Sequence, residues 1–372
     1  MPAINHPFQP LFALLRADEF EVYVVGGAVR DWLQGTCPKD VDMVTNEPLS
    51  SLDERIEGAA LIATKVPLLH FKRDVSVDVS QWEGTNIVSH LRQRDFTMNA
   101  MAIDVSGNVI DPLDGRIALE QKTLQLASPK SLYTDPVRIL RAFRFRAASG
   151  FIISAETMSA IRTEKYKLRD VAKERIGLEM RKIITSSNAE AVLNELDHEH
   201  VLPYIFPEYT KTSPLSFYGV KEEWERWLLL SDQWKVNMTP VFRKWGLATS
   251  VVRAYHIRHR LMQSVRTHAP SKKEIYTYGV HVHLQVDRLV STVDEQFTSK
   301  EEQIKQLANL IPIETRKDLL LQPRELLTHF QRTPGRWLGL MMERLESEVV
   351  EGTLKNDKQT LWQRAKELDD EN

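Results

Sequence analysis

A glycine pair between a β-rich run and a helical run, followed by two aspartates at i and i+2, constrains this chain more than any other feature. The segment reads EVYVVGGAVRDWLQG and then KDVDMVT. Val22–Val25 forms a strand that stops at Gly26 and Gly27, and Ala28–Gly35 reads as a helix closed by glycine. Paired glycines at a strand-to-helix turn let backbone N–H groups approach an anion closely, and the helix N-terminus adds partial positive charge. Arg30, near the helix start, is placed to reach the same anion. Asp40 and Asp42 lie on the next strand, Lys39–Thr45, and two residues apart on a strand they leave the same face. Adjacent carboxylates repel unless a cation sits between them, and Mg2+, with its preference for oxygen ligands and phosphate co-ligands, is the natural candidate.

More strands follow. VPLLHF (Val66–Phe71) and VSVDVSQW (Val75–Trp82) are separated by Lys72-Arg73-Asp74, which is hairpin spacing, and Thr97–Gly115 adds a pair around a Ser-Gly-Asn turn. The count is a mixed five-stranded sheet with helices before residue 120. An amphipathic helix over residues 8–17 precedes it. From about residue 128 the patterning changes to a 3.6-residue period, carried by DPVRILRAFRFRAA, SAETMSAIRTEKYKL and VAKERIGLEMRKIITSS. It persists to the end, with breaks at Pro203, Pro207, Pro214, Pro312, Pro323 and Pro334, and only the acidic end, Asp369–Asn372, reads as disordered. The expected class is an α/β head followed by an all-α remainder.

Composition narrows the possibilities. The 372 residues are 42% hydrophobic and 27% charged, ordinary for globular chains and sufficient for several cores. The single cysteine, Cys37, excludes a disulfide framework and Cys-rich zinc sites. No apolar run is long enough to span a bilayer and the first residues lack a signal-peptide pattern, so a cytoplasmic protein without membrane partners is expected. Net charge is only −2, but its distribution is uneven. Lys130–Lys182 holds thirteen Lys/Arg against six Asp/Glu, a candidate anion-facing stretch, whereas Met341–Asn372 holds five against nine. The histidines show no ligand spacing, and His256, His259, His281 and His283 read as surface residues.

Two more groups carry candidate chemistry. Asp78 alternates with Val75, Val77 and Val79, which places it opposite the valines, on one face with Ser76 and Ser80. Asp135, Arg138, Arg141 and Arg144 recur every three residues over one broad helix face, and Asp135-Pro136 suits a helix start. Read alone, this second group favours a cap with a solvated arginine face.

VGGAVRDWLQG with KDVDMVT resembles the opening motif of polymerase-β-like nucleotidyltransferases of class II, the branch of bacterial tRNA CCA-adding enzymes and poly(A) polymerases. Four further segments are similar to that branch: RQRDFTMNAMAID (Arg92–Asp104), DPLDG (Asp111–Gly115), DPVRILRAFRF (Asp135–Phe145) and KERIGLEMRKII (Lys173–Ile184). The end of the chain is more weakly similar to Bacillus-type enzymes.

The resemblance implies a catalytic head over residues 1–127, a helical neck at 128–205 that recognises the base, a helical body at 206–315 and a tRNA-binding tail at 316–372. It implies Asp40 and Asp42 as Mg2+ ligands and catalytic residues, with Asp78 as a third catalytic carboxylate where the family has Glu. Gly26, Gly27, Arg30, Arg94, Arg141 and Arg144 would serve the nucleotide's phosphates or organise the pocket. Asp135 and Arg138 would read the base, with Thr134 standing where the family carries Glu. The implied partners are CTP, with ATP as an alternative substrate, and a tRNA, met at its 3′ end and acceptor and elbow regions. Full CCA-adding relatives carry a flexible charged loop between the Asp78 strand and the RQRDF segment. Here only SQWEGTNIVSH lies between. The expectation is therefore addition of two cytidines, with a separate A-adding enzyme acting on the product. Full CCA addition is the alternative; poly(A) polymerase, which would carry a basic extension, and a non-catalytic RNA-binding protein come behind it.

Overall fold

A computed structural model describes residues 7–370 except 16, 18, 64–66, 83, 211–215 and 218. Arg16 of the first expected helix, Val66 of the expected hairpin, Pro214 and the last two residues of the acidic end thus lie outside the described residues.

The chain divides into two compact units. The first holds residues 1–215 with 234–236 and 244–246, and the second holds 216–233, 237–243 and 247–372.

The first unit is built on β1 (Val22–Val25), β2 (Asp40–Thr45), β3 (Ala60–Ile62), β4 (Leu68–Lys72), β5 (Ser76–Gln81), β6 (Ala102–Ile103) and β7 (Val109–Ile110). They form one mixed seven-stranded sheet in the order β3-β4-β5-β2-β1-β6-β7. The five-stranded expectation undercounts. β3 is a three-residue edge strand whose residues are all exposed, and β6 and β7 have two residues each, too short to show alternation. The hairpin is present: β4 and β5 run antiparallel, with Lys72 opposite Ser76.

Alternation sorts the central strands cleanly. Val24, Met43, Val79 and Leu69 form one fully buried row across β1, β2, β5 and β4. The next row, on the opposite face, is Val25, Asp42, Asp78 and His70. Further along that face, Val44 and Ala102 pack with Ile87 and Leu91 of the helix Ile87–Leu91, so only the start of β2 is left open to solvent.

Helices then take over. Arg138–Ser149 buries Ile139, Leu140, Ala142, Phe143, Phe145 and Ala147 and stops at Gly150 in the left-handed conformation. Lys173–Ile184 packs beside it; a Cβ on Gly177 would lie 2.6 Å from the Trp245 ring, so this helix needs glycine for the indole to approach. Pro203 and Pro323 open short helices, where a missing N–H costs nothing. In the second unit, one core gathers Leu326, Met341, Met342, Leu345, Val349, Leu361 and Ala365. His283 is not a surface residue: it is fully buried, on the face of Val280–Val293 that also carries Val286 and Val290. Among the described residues, no helix is long and apolar enough to cross a membrane.

Candidate active site

The turn after β1 fixes the site's floor. Gly26 has φ +74° and ψ −131°, a backbone that side chains rarely adopt, and a Cβ there would fall 2.3 Å from Arg94 Nη1. The Arg94 guanidinium therefore lies directly against the glycine turn. The same hypothetical Cβ would stand 3.7 Å from Asp42 Oδ2, so turn, arginine and carboxylate meet at one point.

Asp40 and Asp42 are exposed while Val41 between them and Met43 after them are buried, so the sheet presents both carboxylates on one face. Asp78 stands next to Asp42 in the parallel β2–β5 register. Although the Asp42 side chain reaches solvent, the protein around it removes part of its hydration. That loss and the like charges of Asp78 and Asp40 raise its carboxyl above the usual range, against the pull of Arg94. Oxygen donors only, crowded and mutually repelling, fit a hard divalent cation. Among the described residues no three acidic, histidine or cysteine side chains already converge on one point. Asp40 and Asp42 form a pair, and Asp78 Oδ1 is instead 2.7 Å from His70 Nδ1.

The arginines are tied into a network that sequence spacing does not reveal. Asp95 is buried and accepts from Arg141 Nε at 2.8 Å, Asn99 Nδ2 at 3.0 Å and the Phe96 amide at 2.8 Å. Burial works to raise its carboxyl, but Arg141 and these hydrogen bonds outweigh it and hold the group below the ordinary carboxylate range. Asn99 Oδ1 in turn accepts from Arg30 Nη1 at 2.8 Å, and Arg30 is also bound to Asp31. Arg30 and Arg144 both lie over the Phe145 ring, and Arg144 pairs with Glu179 at 2.9 Å.

Asp135 does not cap a helix with its side chain. Its Oδ2 accepts from Arg175 Nη2 at 2.7 Å and lies 3.9 Å from Arg138 Nε. Arg138 donates to the carbonyls of Gln93 and Arg94 and, at 2.8 Å, to the Ser131 hydroxyl. Thr134 bonds back to the Ser131 carbonyl rather than to Arg138. A cavity of about 350 Å³ is lined here by Arg92, Gln93, Lys130, Ser131, Asp135 and Arg138. Sequence reasoning thus missed Asp95, Asn99, Glu179, Arg175, Ser131 and His70. Asp95 and Asn99 sit inside the RQRDFTMNA segment and were accessible as its polar residues. Arg175 and Glu179 likewise sit inside KERIGLEMRKII, whereas Ser131 and His70 carry no local signal.

A glycine-turn anion cradle beside a sheet-borne aspartate pair, with a basic helix downstream, defines a nucleotidyltransferase of the polymerase-β-like class. Comparison with known proteins agrees along nearly the whole chain. Residues 22–66 and 63–125 match the poly(A) polymerase head domain, 150–212 the probable RNA- and SrmB-binding site of polymerase A, and 218–365 the putative second domain of tRNA nucleotidyltransferases. The CC-adding tRNA nucleotidyltransferase of Halalkalibacterium halodurans is 29% identical over 365 residues, 94% of each chain. The CCA-adding enzyme of Ligilactobacillus salivarius is 26% identical, over 96% of this chain and 95% of its own. The structure of the Bacillus stearothermophilus CCA-adding enzyme in complex with CTP superimposes with a TM-score of 0.75 at 22% identity, over 99% of both chains. The chain belongs to the class II tRNA nucleotidyltransferase family.

Proposed function

We propose that this enzyme adds CMP from CTP to the 3′ end of tRNA without a nucleic-acid template and stops after two cytidines. The observation that carries the stop is the connector between β5 and the helix Ile87–Leu91. It has five residues, Trp82–Asn86, and Asn86 closes it in a capping box with Ser89. A Cβ on Gly84 would lie 2.3 Å from Ser89 Oγ, so the turn is already tight. Switching from C to A requires the base pocket to present its polar atoms in a second way. Asp135 is held by Arg175, and Arg138 by the Gln93, Arg94 and Ser131 carbonyls and the Ser131 hydroxyl, and no described residue of the short connector bonds to either of them to bias that second state.

In the chemistry, Asp40 and Asp42 would hold Mg2+, which when bound supplies Lewis-acid activation of the primer hydroxyl and neutralises triphosphate charge. The Gly26 N–H is spent on the Met101 carbonyl at 3.3 Å, so that glycine supplies the open turn and not a donor; Gly27 offers its backbone N–H, and Arg30, Arg94, Arg141 and Arg144 offer positive charge to the phosphates. The free oxygen of Asp78 accepts the 3′-hydroxyl proton. The 3′-oxygen bonds to the α-phosphorus, the bond to the β-phosphate's bridging oxygen breaks, and pyrophosphate leaves with the electron pair. Asp135 accepts from the exocyclic amine of cytosine while Arg138 donates to its carbonyl or ring nitrogen, which rejects UTP.

The neck, body and tail partition, 128–205, 206–315 and 316–372, belongs to the same proposal, as does tRNA as the partner. Full CCA addition is the second reading, favoured by CCA-adding relatives that match over the same length. Incubation of tRNA lacking its 3′ CCA with each labelled nucleotide, followed by sizing, tests the proposal. Two added residues from CTP alone are expected; no incorporation from CTP would overturn it.

A further inference from the structure

Resting on that reading of the site, we propose that His70 is a positioning residue for Asp78. β4 runs antiparallel to β5 and sets His70 directly opposite Asp78, while β2 sets Asp42 directly opposite Asp78 on its other side. His70 Nδ1 and Asp78 Oδ1 are 2.7 Å apart. The bond occupies one carboxylate oxygen, leaving the other to face the hydroxyl proton that the site must remove. An Asp is one methylene shorter than Glu and has fewer ways to reach across the sheet. A fixed rotamer compensates for that lost reach.

The pair is not explained by stability. The side chains are 39% and 45% exposed, and an exposed pair of this kind contributes little to folding. Its neighbours on the same face of the two strands are Leu68, Lys72, Ser76 and Ser80, none of which bonds to either partner among the described residues. What the pair does control is the orientation of a carboxylate adjacent to Asp42. Residues that orient a reactive group through one hydrogen bond typically change activity by 10–100-fold when removed.

The test uses the full-length protein with Mg2+, CTP and tRNA lacking CCA, read as single-turnover incorporation. His70→Ala should lower the rate constant about tenfold and leave the KM for CTP within about twofold. His70→Asn, whose amide nitrogen falls near the position of Nδ1, should restore most of the rate. In an Asp78→Ala background, His70→Ala should have no further effect. Full activity in His70→Ala, no rescue by Asn in a protein that melts normally, or losses that multiply in the double variant would each overturn the proposal. Asp40→Ala separates the two levels. If it is inactive while Asp78→Ala turns over normally, the reading of Asp40 and Asp42 stands and the roles of Asp78 and His70 fall together. If Asp40→Ala is active, the site reading itself falls.

Discussion

Asp42 is held in surroundings that work against its own charge. Lost hydration and two neighbouring carboxylates disfavour its ionised form, and Arg94, with a smaller pull from Arg141, offsets them only in part. A carboxyl whose folded pKa is raised loses stability as pH climbs from its unfolded value through its folded one, and the cost is complete above both. Asp42→Asn should therefore lose roughly 10³-fold in activity yet melt no lower than the parent in metal-free buffer at pH 7. A lower melting temperature would show that the carboxylate is structural. His90 behaves in the opposite sense. Burial and Arg94 depress it from 6.5 to about 4, and Arg94 Nη2 lies 3.5 Å from its Nε2. The unfolded chain then binds a proton that the folded chain refuses between these values. Stability is complete above pH 6.5 and declines as pH falls toward 4. Melting curves across that window should be less pH-dependent in His90→Gln than in the parent; parallel curves would contradict the assignment. Alternation made Asp40, Asp42 and Asp78 legible in sequence, because strand period alone decides their face. His70 was not legible, because its partner is chosen by register between two strands, and register needs the sheet.

The helix Arg138–Ser149 shows the same division at the scale of an element. Its period and its closing glycine are plain in the sequence, and so are its apolar residues. Its arginines, however, read alone as a solvated face. Arg138 finds the Arg94 and Gln93 carbonyls and Arg141 finds Asp95, 44 to 46 positions away, and no local pattern announces these partners. The partners turn Arg138 from a flexible side chain into a fixed donor, in a chain that has Thr134 in place of Glu. Arg138→Ala should therefore do two things. Discrimination of CTP over UTP should fall by an amount equivalent to about 1–3 kcal/mol, the worth of a good base contact. The protein should also melt lower, because carbonyls of Gln93 and Arg94 lose a donor. An unchanged CTP/UTP ratio would move base reading elsewhere. The short strands β3, β6 and β7 escaped the sequence for a different reason: two or three residues carry no period, and their pairing depends on the strands beside them.

Across the whole molecule, the change from alternating to helical patterning near residue 128 was visible, whereas the division into two compact units interleaves residues 216–247 in a way that periodicity does not encode. The acidic tail also hides its basic surface. Lys358 pairs with Glu325 and Arg364 with Glu348, so their charge is largely spent within the protein. Arg332, bound to Asp369, and Arg344, bound to Glu348, line a cavity of about 480 Å³ together with Arg336 and Trp337. Arg336→Glu should weaken tRNA binding at low salt and reduce its salt dependence by about one phosphate contact, leaving CTP binding unchanged. Equal tRNA affinity would remove this surface from the interface. The most direct test of the central claim is ATP addition to tRNA ending in CC, compared with CTP addition to tRNA lacking CCA in the same preparation. The account predicts rapid addition of two cytidines and no appreciable A addition. Efficient addition of a single A, at a rate comparable to that of C, would contradict the stop after CC.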